Sequence, residues 1–391
     1  MKRLRARPVF WAFVCSGLVL LWQAATVRFN YRGDWSALFY TGAYVKLPAV
    51  VEAERPFRIA HDPGYDGQFY HLIAHDPFLR GDVARYVDNP RLRWRRILVP
   101  AAAWTISLGN DDYVDSNYVL VLLASVFLGA LWLGRYCMKV GLRASGGICF
   151  ALVPSVIASA DRGTVDVALA ALCAGFAIEQ GWRLWLVLAL APLARETGIV
   201  LPLAYGVRAA IRKDRPAAVF GATTLIPCAL WFGYVALRTA PDHTVFAGIV
   251  PLRGLVERTL APQLGMAGMT SWVRTAAVLD YIAVLGMWVA VALALSLLVR
   301  RLIGRIELAA MLFTGIFVVF VAQPQVWEGA YSFGRTMSPV LLFLAMIGAA
   351  TGRPAWFVPL ALVLPRFLFQ LSPQWRGILR GVKQALLHGG K

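Results

Sequence analysis

The stretch PVFWAFVCSGLVLLWQAATV, residues 8–27, decides the fold. It contains no charged residue and has the length that an α-helix needs to cross a bilayer. Four cations precede it, namely Lys2, Arg3, Arg5 and Arg7. Because positive charges stay on the cytoplasmic side, we expect a retained first helix that begins in the cytoplasm. A cleaved signal peptide would carry a shorter apolar core.

The composition of the whole chain also indicates a membrane protein. Hydrophobic residues occupy 59% of the 391 positions and charged residues only 15%, whereas soluble domains are about 25% charged. The net charge of +18 suits cytoplasmic loops and lipid headgroups, so no nucleic acid partner is expected. The five cysteines show no metal-site spacing and predict no disulfide framework and no zinc site. We predict an all-α polytopic protein in which residues 1–391 form a single integral membrane domain.

A long polar insert, residues 28–117, separates the first two predicted spans and is expected to lie outside, with interfacial helices. Its apolar part, residues 97–109, is too short to cross the bilayer. Residues 184–205 are expected to form two short helices that turn at 195–198, since a single helix would leave the cations of 212–215 outside. These assignments predict about 9–11 transmembrane helices.

The sequence leaves two membrane topologies open for the C-terminal end. Residues 354–371 are apolar enough to be a last span. In that case the basic tail would lie outside, against the positive-inside rule. The tail is also typical of an amphipathic helix that lies in the membrane interface.

Unusual polar residues gather on the predicted outer side. They occur at Asp34, at Asp66, and in residues 161–166, 195–197 and 328–335. Ionisable residues at membrane depth cost free energy, so Arg195 and Glu196 in particular are candidates for function. Any chemistry is therefore expected at the outer face.

The stretch GYDGQFYHLIAHDPF, residues 64–78, holds the best candidate for chemistry, Asp66. The aromatic residues around it can sit in the interface or stack against a sugar ring. Gly67 permits a close backbone approach. We take Tyr65, Gln68 and Tyr70 as substrate-binding candidates. Alternatively, Asp66 only caps a short helix, and the pattern leaves that open.

Two histidines in the same stretch raise the question of a metal. His71 and His75 are four residues apart and share one helix face. Together with Asp76 they would form only an incomplete site, and no HExxH motif is present. The sequence therefore favours no metal and no other cofactor.

Two further segments supply arginines that suit phosphate recognition. Arg195 and Arg335 are the first candidates, and Arg162 is the next. Glu196 and Glu328 accompany them as substrate-binding candidates. Alternatively, Arg195 pairs with Glu196 or reaches to the interface, and the aromatic residues near Arg335 only anchor the chain there.

The segment YDGQFYHLIAHDP resembles the W-D-G-x-W-Y-x-x-I-A signature of phosphatidylinositol-glycan mannosyltransferase-like members of the GT-C superfamily of glycosyltransferases. The matching positions are Asp66, Gly67, Tyr70 and residues 73–74. Tyr65 and Phe69 stand where the signature has tryptophan. The next segment, RRILVPAAAWTISLG, resembles the interfacial segment of that superfamily. The resemblance covers the N-terminal half of the chain, and the C-terminal half only in architecture. Within the superfamily, the chain is most similar to bacterial membrane proteins of cell-surface glycopolymer formation.

The resemblance implies a transferase without a nucleotide-binding motif. Such enzymes take a sugar from a polyprenyl-phosphate-linked donor and transfer it, usually with inversion, to a glycan or lipid acceptor at the outer face. The general base implied here is Asp66, with Asp34 as second choice. The expected location is the bacterial plasma membrane. A transporter or flippase, or a non-catalytic subunit of surface-glycan assembly, is the alternative.

Overall fold

A computed structural model describes residues 7–241, 250–261, 270–321 and 324–388. Helices account for 78% of the structure. Strands in the described part are two short pieces, β1 (Thr41–Gly42) and β2 (Arg58–Ile59), which pair in parallel. The all-α prediction is therefore confirmed. Lys2, Arg3 and Arg5 lie outside the described residues.

The insert after the first helix is built of short elements. Helix α1 spans Pro8–Asn30. The helices that follow it are a 3₁₀ turn at Trp35–Phe39, α2 (Ala49–Ala53), α3 (Asp66–His75), a 3₁₀ turn at Val83–Tyr86, α4 (Pro90–Arg95) and α5 (Leu98–Ile106). With 9 residues, α5 is only about 14 Å long, and it is not among the described helices that are long and apolar enough to cross a membrane.

The middle of the chain contains one long helix and several shorter elements. They are a 3₁₀ turn at Asp111–Tyr113, α6 (Val114–Lys139), a 3₁₀ helix at Ala144–Leu152, α7 (Pro154–Arg162), α8 (Asp166–Ile178), α9 (Gly181–Ala194), a 3₁₀ turn at Glu196–Ile199, α10 (Val200–Ile211), α11 (Arg215–Thr223) and α12 (Ile226–Arg238). The predicted turn at 195–198 is confirmed. A Cβ at Gly198 would collide with the Ala191 carbonyl, so only glycine allows the chain to fold back this closely.

The C-terminal part ends on a helix that returns to the first one. Its elements are α13 (Arg253–Leu260), α14 (Ser271–Val299), α15 (Arg305–Thr314), a π-helical segment at Gly315–Phe320, α16 (Pro324–Trp327), α17 (Ala330–Thr336), α18 (Ser338–Thr351), a 3₁₀ turn at Pro354–Phe357, α19 (Val358–Gln370) and α20 (Ser372–His388). Helix α20 packs against α1, where the rings of Trp22 and Trp375 lie 4.8 Å apart.

The number of helices able to cross a membrane is smaller than the sequence predicts. By length and composition, four described helical stretches qualify: α1, Asp111–Lys139, Arg215–Arg238 and α14. Three bent pairs, α7, α18 and α20 each with the element before it, raise the number to 7. Prolines at the starts of α7 and α18 are a physical reason for such breaks, because proline cannot continue a preceding helical turn. The structure thus shows an all-α protein with several candidate membrane helices.

Buried apolar side chains from α1 through α19 form one contiguous core. Helix α3 packs on α5 and α6, and it also touches α7. Helix α17 packs on α7 and α19. These contacts bring the first turn of α3 next to the ends of α7 and α17.

Candidate functional site

The signature segment folds into α3, and Asp66 is the first residue of this helix. Tyr65, in extended conformation, occupies the N-cap position, and no side chain caps the helix. The alternative in which Asp66 only caps the helix is therefore wrong. Its carboxylate points to other partners.

Two arginines hold the carboxylate of Asp66 from either side. Arg93 donates from Nη2 to Oδ1 over 2.9 Å, and Arg335 donates from Nη2 to Oδ2 over 2.6 Å. Burial by itself would raise the pKa of Asp66, but the two guanidinium groups outweigh burial and hold this pKa well below its usual range. The Asp66 side chain remains 23% exposed. It is thus an ionised carboxylate that another molecule can reach.

Gly67 explains how α3 comes so close to α7. A Cβ at this position would collide with the carbonyl oxygen of Arg162 and press on that of Phe39. Only glycine leaves room for this backbone approach. The sequence predicted a close backbone approach at Gly67. In the structure this approach is between α3 and α7 of the same chain, and it fixes the position of Asp66.

A second buried ion pair lies beside the first. Arg96 donates from Nε and Nη2 to the two carboxylate oxygens of Glu196, each over 2.7 Å. The Arg96 charge outweighs burial and lowers the pKa of Glu196. The hydroxyl of Tyr70 accepts from Arg96 over 2.8 Å and from Arg93 over 3.3 Å. Tyr70 is almost fully buried, so its hydroxyl links the two arginines and is not itself open to a substrate.

Asp166 lies between Arg195 and Arg335 and contacts both guanidinium groups. Arg195 donates from Nη1 to Oδ1 of Asp166 and from Nη2 to the Thr336 hydroxyl over 3.2 Å. Its partner is thus mainly Asp166, while Glu196 lies 4.0 Å away. Nη1 of Arg335 lies 3.6 Å from Oδ2 of Asp166. In the described structure, Nε and Nη1 of Arg335 donate no hydrogen bond, so this buried guanidinium has donors to spare.

Aromatic rings surround Arg162 next to this cluster. Its guanidinium carbon lies 4.0 Å from the ring centre of Tyr40, 4.7 Å from that of Tyr65 and 5.1 Å from that of Tyr331. Nε of Arg162 lies 3.3 Å from Asp161. Tyr65 also faces Arg335, whose guanidinium carbon is 4.9 Å from its ring centre. This side of the site is therefore aromatic and cationic together.

Three predicted site residues lie apart from these contacts. Asp34 caps the 3₁₀ turn after α1 and accepts from the Ser36 backbone over 3.0 Å, so the structure does not join it to Asp66. Glu328 is exposed and makes no ion pair within the described part of the chain.

Gln68 is the third, and its polar groups are already used. Its Oε1 accepts from the Gly42 backbone over 3.0 Å, and its Nε2 donates to the Pro63 carbonyl over 3.4 Å. The residue is 3% exposed. It holds the loop before α3 in place, and the expectation that it contacts substrate is not met by this geometry.

Sequence reasoning missed Arg93, Arg96 and Asp166. The two arginines are three residues apart in RLRWRR, a spacing that puts side chains on one face of a helix. That spacing was the available signal. Asp166 lies within the polar segment 161–166, which the predicted topology places on the same outer side of the membrane as Asp66.

The cluster combines an ionised, reachable carboxylate with guanidinium groups that can meet an anion. The carboxylate can accept a hydrogen bond from a hydroxyl group, and the guanidinium groups can stabilise negative charge on an anion. No protein-family model, no curated protein and no solved structure matches this chain.

Proposed function

We propose that this protein is a GT-C-type glycosyltransferase, which moves a sugar from a polyprenyl-phosphate-linked donor to a glycan or lipid acceptor at the outer face of the membrane. The observation that supports it most is the partly open Asp66 carboxylate between Arg93 and Arg335. The site lies on the segment that resembles the superfamily signature.

Asp66 is the general base in this proposal. Each carboxylate oxygen can accept two hydrogen bonds, and each arginine occupies one of these positions. The acceptor hydroxyl gives its proton to a free position on Asp66 as its oxygen bonds to the anomeric carbon. The bond from that carbon to the lipid phosphate breaks on the opposite face, so the sugar inverts its configuration.

Arg335 is the first candidate for the leaving phosphate. Its Nε and Nη1 are buried and donate no hydrogen bond to the described residues. A phosphate oxygen at these donors would gain charge-assisted hydrogen bonds as its negative charge grows. Arg195 lies on the other side of Asp166 from Arg335. Its positive charge adds to the electrostatic stabilisation of the phosphate.

The sugar and the lipid would occupy different surfaces. The rings of Tyr65 and Tyr331 near Arg162 offer flat faces for a sugar ring. An apolar groove of about 390 Å³ begins at Leu98, two residues after Arg96, and continues between α6, α8 and α9. A polyprenyl chain needs such an apolar surface.

The proposal includes a location. The protein would lie in the plasma membrane of a bacterium, with its N-terminus in the cytoplasm and Asp66 outside. The transfer step itself uses no metal in this proposal.

The test compares Asp66→Asn with wild type and with Asp34→Asn in the source organism. The measurements are surface glycan composition and the amount of protein in the membrane. We expect Asp66→Asn to change the glycan at normal protein abundance, and Asp34→Asn to leave it unchanged. An unchanged glycan with normal Asp66→Asn protein would remove Asp66 as the base.

One observation favours a second candidate, a non-catalytic subunit of surface-glycan assembly. Arg96 and Glu196 pair fully with each other, as residues of a purely structural network do. In that case glycan changes would follow protein abundance in every variant of the cluster. The Asp66→Asn experiment separates the two candidates, since only the transferase loses function at constant abundance.

A further inference from the structure

A second group of ionisable side chains lies on the later turns of α3. One ligand atom from each of Glu54, His71, His75 and Asp115 lies within 4.8 Å of the other three. We propose that these four residues bind a divalent transition metal ion, in the first place Zn²⁺, which fastens α3 to the start of α6. The proposal concerns a site separate from Asp66 and does not depend on the transferase activity.

Three elements of the chain converge at this group. His71 and His75 are one helical turn apart on α3, so their rings share a face. Glu54 follows the last residue of α2. Asp115 lies in the first turn of α6. A shared ion would therefore join parts of the insert to a long helix across a wide sequence separation.

The Nε2 atoms of the two histidines lie close to carboxylate oxygens without an aligned hydrogen bond. Nε2 of His71 lies 2.7 Å from Oδ1 of Asp115, yet neither atom makes an aligned hydrogen bond. Nε2 of His75 lies 3.6 Å from Glu54 and 3.7 Å from Asp115, also without one. The two histidine side chains are 1% and 0% exposed. Buried polar atoms are normally satisfied, and one ion between them would satisfy all of these.

The surroundings hold the rings in the orientation that a metal needs. Nδ1 of His75 lies 2.8 Å from Oδ1 of Asp111, so the carboxylate fixes the proton on Nδ1 and leaves Nε2 as the ligand atom. A carboxylate behind a ligating histidine is a usual feature of metal sites. The His71 ring stacks on Phe39, with ring centres 4.0 Å apart and planes at 6°.

A route for a cation leads to this group. A pocket of about 560 Å³ reaches Glu54 and Asp115, and Asp34 and Asp112 also line it. None of the described residues that line this pocket is Lys or Arg, although the chain carries a net charge of +18. The pocket is thus an acidic entrance in a basic protein, and it attracts cations.

The ligand set selects the class of metal. Zn²⁺ binds histidine nitrogen and carboxylate oxygen, and it usually takes four ligands, the number that this group offers. Mg²⁺ and Ca²⁺ prefer oxygen ligands only, so two buried imidazoles disfavour them. The alternative to a bound metal ion is a protonated His71, because a positively charged imidazole would form ion pairs with the same carboxylates.

The first experiment measures metal content. The full chain is purified in detergent through a histidine-free tag, and metals are quantified by mass spectrometry. We expect about one zinc per chain in wild type and a loss of most of it in His71→Asn and in His75→Asn. His61→Asn is the matched control, because His61 is an exposed histidine of the same insert, and it should keep the metal.

The second experiment uses wild type alone, so it does not depend on variants that fold. A chelator removes the metal, and the thermal midpoint is then followed as Zn²⁺ or Mg²⁺ is added back. Zn²⁺ should restore the midpoint and Mg²⁺ should not. Wild type that is purified without metal, and whose midpoint Zn²⁺ does not raise, would overturn the proposal and leave a proton-held ion pair in its place.

Discussion

Asp66 and Arg335 are 269 residues apart in the chain, and yet Nη2 of Arg335 donates to Oδ2 of Asp66 over 2.6 Å. Arg93, from the same insert as Asp66, holds the other carboxylate oxygen. The acid of the signature segment is therefore completed by one residue from nearby and one from the far end of the sequence. Variants at either end should affect the same site.

Replacement of Arg335 by lysine tests the need for a forked donor. Arg335→Lys keeps the charge but cannot reach Asp66 and Asp166 as a planar guanidinium does. Under the proposed transferase function, we expect the surface glycan to fall at least about tenfold at normal protein abundance, because charge-assisted bonds to the proposed leaving phosphate would be lost.

Arg376→Lys, at an exposed position of α20, is the control and should leave the glycan unchanged. Wild-type glycan levels in Arg335→Lys would show that the site needs only a positive charge at this position.

Removal of one hydroxyl tests the link between the two buried arginines. Tyr70→Phe leaves Nη1 of Arg93 and Nη1 of Arg96 each without its acceptor in a buried place. The expected loss of unfolding free energy is about 1–3 kcal/mol, the cost of unsatisfied buried donors. Thermal unfolding in detergent measures it. Tyr44→Phe is the control, since Tyr44 is 72% exposed, and an equal loss in both variants would argue against the link.

An added methyl group tests the close approach of α3 to α7. In Gly67→Ala the new Cβ meets the Arg162 carbonyl, a backbone atom that cannot turn aside. We expect a loss of about 1–3 kcal/mol in unfolding free energy from overpacking. In Gly17→Ala, within α1, the Cβ meets nothing within 4 Å and should be tolerated. If both variants unfold at the wild-type midpoint, α3 does not lie this close to α7.

The pH dependence of stability tests the charge state of Asp66. Its pKa in the folded protein lies well below the usual 3.8, so its ion pairs stabilise fully above pH 3.8 and are lost as the pH falls through the folded pKa. The difference in thermal midpoint between wild type and Asp66→Asn should stay constant from about pH 8 to about pH 5 and should shrink below that range. A difference that already shrinks between pH 7 and pH 5 would mean that Asp66 is not held by two arginines.

Much of the fold could be predicted from local features of the sequence. The turn at 195–198 followed from the position of cations, and the short course of α5 followed from its length. The number of crossing helices was harder to predict, because breaks such as the 60° bend before α7 depend on packing around a proline.

The candidate site was predictable only in part. Asp66 and Arg335 could be chosen one by one, but their pairing joins opposite ends of the chain. Gln68 looked like a binding residue because it is polar and lies beside Asp66, whereas its amide is consumed by backbone groups that only the fold brings there. The histidine pair was visible in the sequence, while Glu54 and Asp115 join it from other elements.

The return of α20 to the start of the chain bears on how the protein is made. Gln374 donates to Asp161 over 3.0 Å, and Asp161 in turn accepts from the Tyr331 hydroxyl over 3.0 Å. A ribosome must therefore synthesise nearly the whole polypeptide before the polar cluster has all its members. Asp66 has Arg93 early in synthesis, and Arg335 becomes available only after residues 67–334 have been made. The cluster is completed only in the last stage of biosynthesis, after most of the apolar helices have been inserted into the membrane.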